Sequence, residues 1–152
     1  GSAATGACLA LLIGAGVEPR SLLLVGFSAS FAAKLADTFG SEIGKRWGRR
    51  PVLITTLRSV PPGTEGAISL AGTLASAAGS VLMTLVMWQL QLLPSISVSL
   101  VVMLIGLLAT LAESLLGALA QDRFRWLSNE LVNALQTLLA AVMAMLWLGG
   151  RI

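Results

Sequence analysis

The chain has 152 residues, 56% hydrophobic and only 11% charged, with a mean hydropathy of +0.88. A soluble domain carries about 25% charged residues, so a water-soluble globule is excluded and the membrane class is the starting point. The net charge is +3, with no histidine and one cysteine, which removes His-ligated metals, His general bases, zinc-thiolate sites and internal disulfides.

Residues 3–17, AATGACLALLIGAGV, are apolar but shorter than the roughly 20 residues of a full span. They read as a thin helix inside a bundle or the end of a span, broken by Glu18-Pro19-Arg20. Cys8 reads as a small buried hydrophobe. No basic n-region precedes this run, so no signal peptide is expected.

A second helix is expected from Ser21, its N-cap, to about Arg46. Its small residues Gly26, Ser28, Ala29, Ser30, Ala32 and Ala33 permit close helix packing in lipid. Lys34, Asp37, Ser41 and Lys45 recur at three- and four-residue steps and share one face, with Glu42 beside them. Charges at membrane depth are costly unless they pair or face a polar cavity. A simple Lys34–Asp37 ion pair satisfies that condition as well as a functional site does.

Residues 47–66 read as a Pro-, Gly- and Arg-rich cytoplasmic loop, with 52–56 as a short extended or re-entrant piece. A third helix is expected over 67–93, with a small-residue seam of Gly72, Ser76 and Gly79 or Ser80, ending at Pro94. A fourth covers 95–121, with Glu113, Gly117 and Gln121 on one face. Glu113 lies in an apolar run and needs a partner from another helix or a metal. Residues 122–128 form a loop that sets Trp126 at headgroup level. A fifth helix covers 129–148, with Glu130, Asn133 and Thr137 on one face.

The expected fold is an all-α polytopic transmembrane bundle of about five helices. It forms one membrane domain over 1–152, alone or as the C-terminal part of a longer protein. Threading these spans puts Lys45, Arg46, Arg49, Arg50, Arg58, Arg123 and Arg125 on one side, against Arg20 and Arg151 on the other. The positive-inside rule makes the first side cytoplasmic. Asp37, Glu42, Glu65, Glu113, Asp122 and Glu130 gather on that side too, although carboxylates have little influence on orientation. A polar site at the cytoplasmic end of the bundle follows.

Carboxylates and cations without His or a Cys nucleophile suit phosphate chemistry. Mg²⁺ is held by one or two carboxylates plus phosphate oxygens, and Lys and Arg stabilise a transferring phosphoryl group. Asp37, Glu42 and Glu113 are the metal-ligand candidates, and Lys45, Arg49 and Arg58 the phosphate candidates. Gly63-Thr64-Glu65-Gly66, read as lying just before a helix, offers backbone N–H groups to an anion. It is not a P-loop, because GxxxxGK[ST] is absent. The basic cluster lacks the aromatic interleaving of single-strand binders, so no nucleic acid is expected.

Three blocks carry a resemblance: LADTFGSEIGKRWGR, LITTLRSVPPGTEGAISLAGTLAS and ESLLGALAQ…LSNELVN. Together they resemble the integral-membrane family that includes phytyl-phosphate kinase, and more distantly dolichol kinase and phosphatidate cytidylyltransferase. The resemblance runs from about Lys34 to Asn133. It implies phosphoryl transfer from CTP, with Mg²⁺, to an isoprenoid monophosphate, giving phytyl diphosphate for tocopherol or prenylquinone synthesis. It carries over Asp37, Thr38, Ser41, Glu42, Gly44 and Lys45 from the first block. From the second come Thr55, Thr56, Arg58, Pro61, Pro62, Gly63, Thr64, Gly66 and Ser69. From the third come Glu113, Ser114, Gly117, Gln121, Asn129, Glu130 and Asn133. Catalysis is thus expected at Asp37, Glu42, Lys45 and Glu113, with substrate contacts at Ser41, Thr56, Arg58, Gly63, Thr64, Glu65, Gly66, Ser69, Asn129, Glu130 and Asn133. Members of that family usually carry further hydrophobic and basic sequence before the region that begins here.

Two other readings fit the composition. A cytidylyltransferase would keep CTP but leave CMP on the lipid. A small ion or metabolite carrier would use Asp37 and Glu113 along a pathway, but carboxylates gathered at one end argue against it. A homodimer is compatible with the chain. The membrane would be a bacterial inner membrane, a thylakoid or a plastid equivalent, and the lack of a transit peptide leans bacterial.

Overall fold

In the computed structural model residues 3–121 and 128–151 are described; the expectations placed on Asp122, Arg123, Arg125, Trp126 and the Gln121 side chain lie outside that set. The elements are α1 (Ala4–Gly14), α2 (Arg20–Trp47), β1 (Val52–Leu53), β2 (Ala67–Ile68), α3 (Leu70–Gln89), α4 (Ile96–Leu116) and α5 (Asn129–Gly149). Four of the helices, α2 to α5, are long and apolar enough to cross a membrane, while α1 is too short. The all-α polytopic bundle is therefore as expected, with one small hairpin added.

α2 is the hub and packs against α1, α3, α4 and α5. Its apolar side is built almost wholly of small residues: Ala29, Ala32, Ala33 and Ala36 are completely buried. Lipid tails are as apolar as leucine, so association in a bilayer depends on close backbone approach rather than on withdrawal from water. The structure has that approach. A Cβ at Gly79 of α3 would sit 2.6 Å from the Leu35 carbonyl oxygen, and one at Gly72 would sit 3.1 Å from that of Gly40. Ser80 of α3 donates to the Met103 carbonyl of α4 at 2.7 Å. The large leucines, such as Leu74, Leu85, Leu100 and Leu138, point outward, as lipid contact requires.

At 1.5 Å per residue the 28 residues of α2 extend about 42 Å. The hydrocarbon layer is about 30 Å thick. The C-terminal turns of α2, carrying Glu42, Lys45 and Arg46, therefore project past the apolar layer. The hairpin flanks them, with Val52 opposite Ile68 and Leu53 opposite Ala67 in antiparallel register.

Several expected boundaries move for local reasons. The third helix starts at Leu70 rather than 67, because Ala67 and Ile68 pair with β1 and Ser69 caps the helix by accepting from Gly72 N–H at 3.1 Å. It stops at Gln89, and Gln91 takes a left-handed φ of 57° before Pro94. Ser21 is not the N-cap of α2. Pro19 holds that position, and the Arg20 N–H donates to the Glu18 carboxylate at 2.7 Å. Ser95 and Ser128 cap α4 and α5 through side-chain oxygens. α4 runs into a π-helical turn over Gly117–Gln121, which breaks the spacing assumed for Glu113, Gly117 and Gln121. Cys8 is exposed rather than buried, on the outward face of α1.

Candidate active site

A cavity of about 350 Å³ opens where the C-terminal half of α2, the second limb of the hairpin, the start of α3, the end of α4 and the start of α5 converge. Its mouth is lined by exposed side chains, Glu42, Lys45, Thr64, Glu65 and Asn129. Further in lie the half-buried Lys34, Asp37, Ser41, Ser69, Glu113 and Asn133, and Ser76 and Thr110 are buried in its wall. Polarity therefore runs from the projecting end of the bundle down to the level of its apolar layer.

α2 supplies the charged wall because its face of Lys34, Asp37, Ser41 and Lys45 turns away from the alanines that pack inward. Lys34 Nζ donates to Asp37 Oδ2 at 2.8 Å and to Asn133 Oδ1 at 2.7 Å. The Asp37 side chain is 13% exposed and that of Lys34 35%. This is the single ion pair among the described residues, and α5 contributes to it through an amide. Asn133 is itself fixed from behind, since its Nδ2 donates to the Asn129 carbonyl at 2.9 Å. An ammonium has three donors, so Lys34 keeps one beyond these two partners. Glu113 reaches the same space from α4, within Coulombic range of Asp37, Glu65 and Lys34.

The hairpin reaches the cavity through backbone geometry. Gly63 and Gly66 have φ of +87° and +74°, values only glycine adopts readily. Between them Thr64 Oγ1 donates to the Pro61 carbonyl at 2.7 Å, which closes the turn. A Cβ at Gly66 would collide with Ala118 backbone and side chain, so the turn also packs on the π-helical end of α4. The turn leads into β2, not directly into a helix, so its N–H groups are presented by a hairpin rather than by a helix end.

Of the positions singled out from sequence, Asp37, Ser41, Glu42, Lys45, Gly63, Thr64, Glu65, Gly66, Ser69, Glu113, Asn129 and Asn133 line this cavity. Thr56, Arg58 and Glu130 do not. Thr56 and Arg58 sit at the far turn of the hairpin, where the Arg58 carbonyl accepts from Leu53 N–H at 3.0 Å. Arg49, the third phosphate candidate, is likewise outside the lining. Glu130 is exposed; of the expected face of Glu130, Asn133 and Thr137 only Asn133 lines the cavity, with Asn129 beside it at the mouth. Thr137 is buried against α1, 3.1 Å from Thr5 Oγ1. Sequence reasoning noted Lys34 only as an ion-pair partner, and missed Thr110, whose neighbours signal nothing polar.

Among the described residues no three His, Cys, Asp or Glu side chains are gathered closely enough to cage a metal ion. The donors facing the cavity are hard oxygens, and one Asp37 oxygen is engaged by Lys34. Such a set fits an ion that completes its coordination with substrate phosphates and water, as Mg²⁺ does, and not a protein-only cage.

A family profile described as "Integral membrane protein DUF92" matches residues 1–141. An uncharacterized membrane protein of Synechocystis is 44% identical over 145 residues, 95% of this chain and 56% of that protein. The chloroplastic protein VTE6 of Arabidopsis thaliana is 40% identical over 153 residues, 96% of this chain and 45% of that protein. An uncharacterized membrane protein of Methanocaldococcus jannaschii is 39% identical over 123 residues, 81% of this chain and 50% of that protein. The chain thus spans about half the length of the curated relatives it matches. No solved structure matches.

Proposed function

This chain belongs to the DUF92 family of integral membrane proteins, and from that membership and its cavity we propose that it forms the catalytic part of a prenyl-phosphate kinase. The reaction is CTP-dependent conversion of phytyl monophosphate to phytyl diphosphate. One observation carries the reading: Lys34, Asp37, Glu42, Lys45 and Glu113, far apart in sequence, face one cavity at the end of an otherwise apolar bundle.

The substrate has an apolar tail and an anionic head. The cavity reaches from the projecting end of α2 down to Lys34, so the head can meet cations while the tail stays among the lipids. Lys34, whose ammonium has a third donor beyond its two partners among the described residues, would hold the lipid phosphate. Lys45 and the Gly63–Gly66 turn stand at the mouth, where a nucleotide arrives from water. One or two of the carboxylates Asp37, Glu113 and Glu42 would hold Mg²⁺ together with substrate phosphates and water, and the ion when bound offsets the charge of the phosphate oxygens. A lipid-phosphate oxygen attacks the γ-phosphorus of CTP. The new P–O bond forms as the bond to the bridging oxygen breaks, and CDP leaves with that oxygen. The attacking oxygen is already anionic, so no general base is needed, which agrees with a cavity free of His and Cys. Positioning and charge neutralisation are the protein's contributions.

The test uses full-length protein in nanodiscs with CTP, Mg²⁺ and phytyl phosphate. Phytyl diphosphate is expected, and Asp37→Ala should abolish it. A CMP-bearing lipid with released pyrophosphate, read by mass, would identify a cytidylyltransferase instead. No lipid product from folded, full-length protein would reject both.

A further inference from the structure

A buried polar node lies at the inner end of the cavity, where Thr110 forms part of the wall. Gln136 of α5 is 3% exposed. Its amide nitrogen donates to the Ala33 carbonyl of α2 at 3.2 Å and to Thr110 Oγ1 of α4 at 3.0 Å. Thr110 donates in turn to the Gly106 carbonyl at 3.0 Å, with the Ala33 carbonyl 3.4 Å away. Three helices meet at one amide.

Each member of the node neighbours a cavity residue on its own helix. Ala33 precedes Lys34 and is one turn from Asp37. Thr110 is three residues before Glu113, and Gln136 is three residues after Asn133. At 1.5 Å per residue Thr110 and Gln136 sit about 4–5 Å deeper than Glu113 and Asn133. Much of the rest of the buried face of α2 is alanine and other small residues, whose surfaces resist sliding and rotation only weakly. Directional hydrogen bonds are what define register between such helices.

Stability alone is a poor account of this residue. Gln136 Oε1 is buried with no partner among the described residues. A buried amide with one group unmet stabilises less than an apolar side chain of similar size, so its contribution lies in specifying one arrangement.

We infer that Gln136, acting with Thr110, is a positioning residue for the phosphoryl-transfer site. It sets the depth and rotation of α4 and α5 against α2, and so keeps Asn133 Oδ1 on Lys34 and Glu113 facing Asp37. Gln136 does not line the cavity and touches no substrate. The kinetic consequence rests on the kinase reading; the register does not.

The experiment therefore has two arms, both on full-length protein in nanodiscs. In the kinetic arm, Gln136→Leu and Thr110→Val are expected to lower kcat by about tenfold or more through misplacement, with KM for CTP near wild type because the mouth is unaltered. Thr110→Ser keeps the hydroxyl and should restore most of the rate. Gln136→Leu combined with Asn133→Ala should lose less than the sum of the single losses, since part of the Gln136 effect passes through Asn133 to Lys34. In the structural arm, nitroxides at Arg46→Cys and Glu130→Cys in a Cys8→Ala background report the α2–α5 distance. Their distribution should broaden in Gln136→Leu, with or without turnover. No product from wild type would remove the kinase reading and leave this arm to decide. A wild-type distance distribution in Gln136→Leu, unchanged kcat, or additive losses in the double variant would overturn the inference.

Discussion

Gly79→Ala is a small change that should disturb both packing and chemistry. The new Cβ would lie 2.6 Å from the Leu35 carbonyl oxygen, 3.0 Å from its carbon and 3.1 Å from Ala36 Cα. All three are backbone atoms, so no side-chain rotation relieves the overlap. Ordinary contact begins near 3.4 Å, so α3 must retreat from α2 by about 0.8 Å. Overpacking of this kind costs about 1–3 kcal/mol. For a chain near 150 residues that lowers the unfolding midpoint by roughly 2–4 °C per kcal/mol. The retreat occurs two residues from Asp37, and a misplacement near 1 Å can cost about a hundredfold in rate. Gly40→Ala is the contrast. Its Cβ would meet chiefly Ser76 Oγ, a hydroxyl that can rotate away, so the loss should be smaller and largely reversed by adding Ser76→Ala. Thermal unfolding followed by tryptophan fluorescence, together with turnover of phytyl phosphate, checks both. Gly79→Ala melting and reacting like wild type, or suffering no more than Gly40→Ala, would refute the packing account.

Lys34→Met should raise KM for the lipid phosphate by about tenfold or more, because it removes a charge-assisted contact worth about 1.5–3 kcal/mol; steady-state kinetics over a lipid-phosphate series measures it. Glu113→Gln should cut kcat strongly while Glu130→Gln leaves it unchanged, since one faces the cavity and the other solvent; equal effects in a turnover assay would contradict that placement. Ser69→Ala should lower stability by about 1 kcal/mol through loss of the α3 cap, read by chemical or thermal unfolding. Arg58→Ala should leave kcat intact and weaken nucleotide capture only at low salt, the signature of steering rather than contact; CTP titrations at two ionic strengths settle it.

The spans were legible because apolar runs of this length have few other uses, and the gathering of charges at one end followed from threading those spans. The cavity's α2 wall was legible from three- and four-residue spacing within one helix. What failed lay where the backbone leaves ideal geometry. Ala67 and Ile68 read as helix because nothing local announces a two-residue strand paired across an intervening loop. Glu130 was expected inward from ideal spacing, yet the α5 residues that line the cavity are Asn129 and Asn133. Gln136 carried no signal, since one amide in an apolar helix looks like any other until its partners on α2 and α4 are known. Cys8 was misjudged because apolar surroundings in sequence mean lipid as readily as core.

The bonds from Asn133 to Lys34 and from Gln136 to Ala33 cross 99 and 103 residues of chain. During synthesis, then, α2 enters the bilayer carrying a lysine and an aspartate long before α5 emerges from the ribosome to share them. Until α5 arrives, Lys34 and Asp37 have each other but not Asn133. Chains stopped before residue 129 should be degraded faster than full-length ones in a pulse-chase, and equal lifetimes would show that the early pair is self-sufficient. Assembly of the cavity is thereby tied to the arrival of α5.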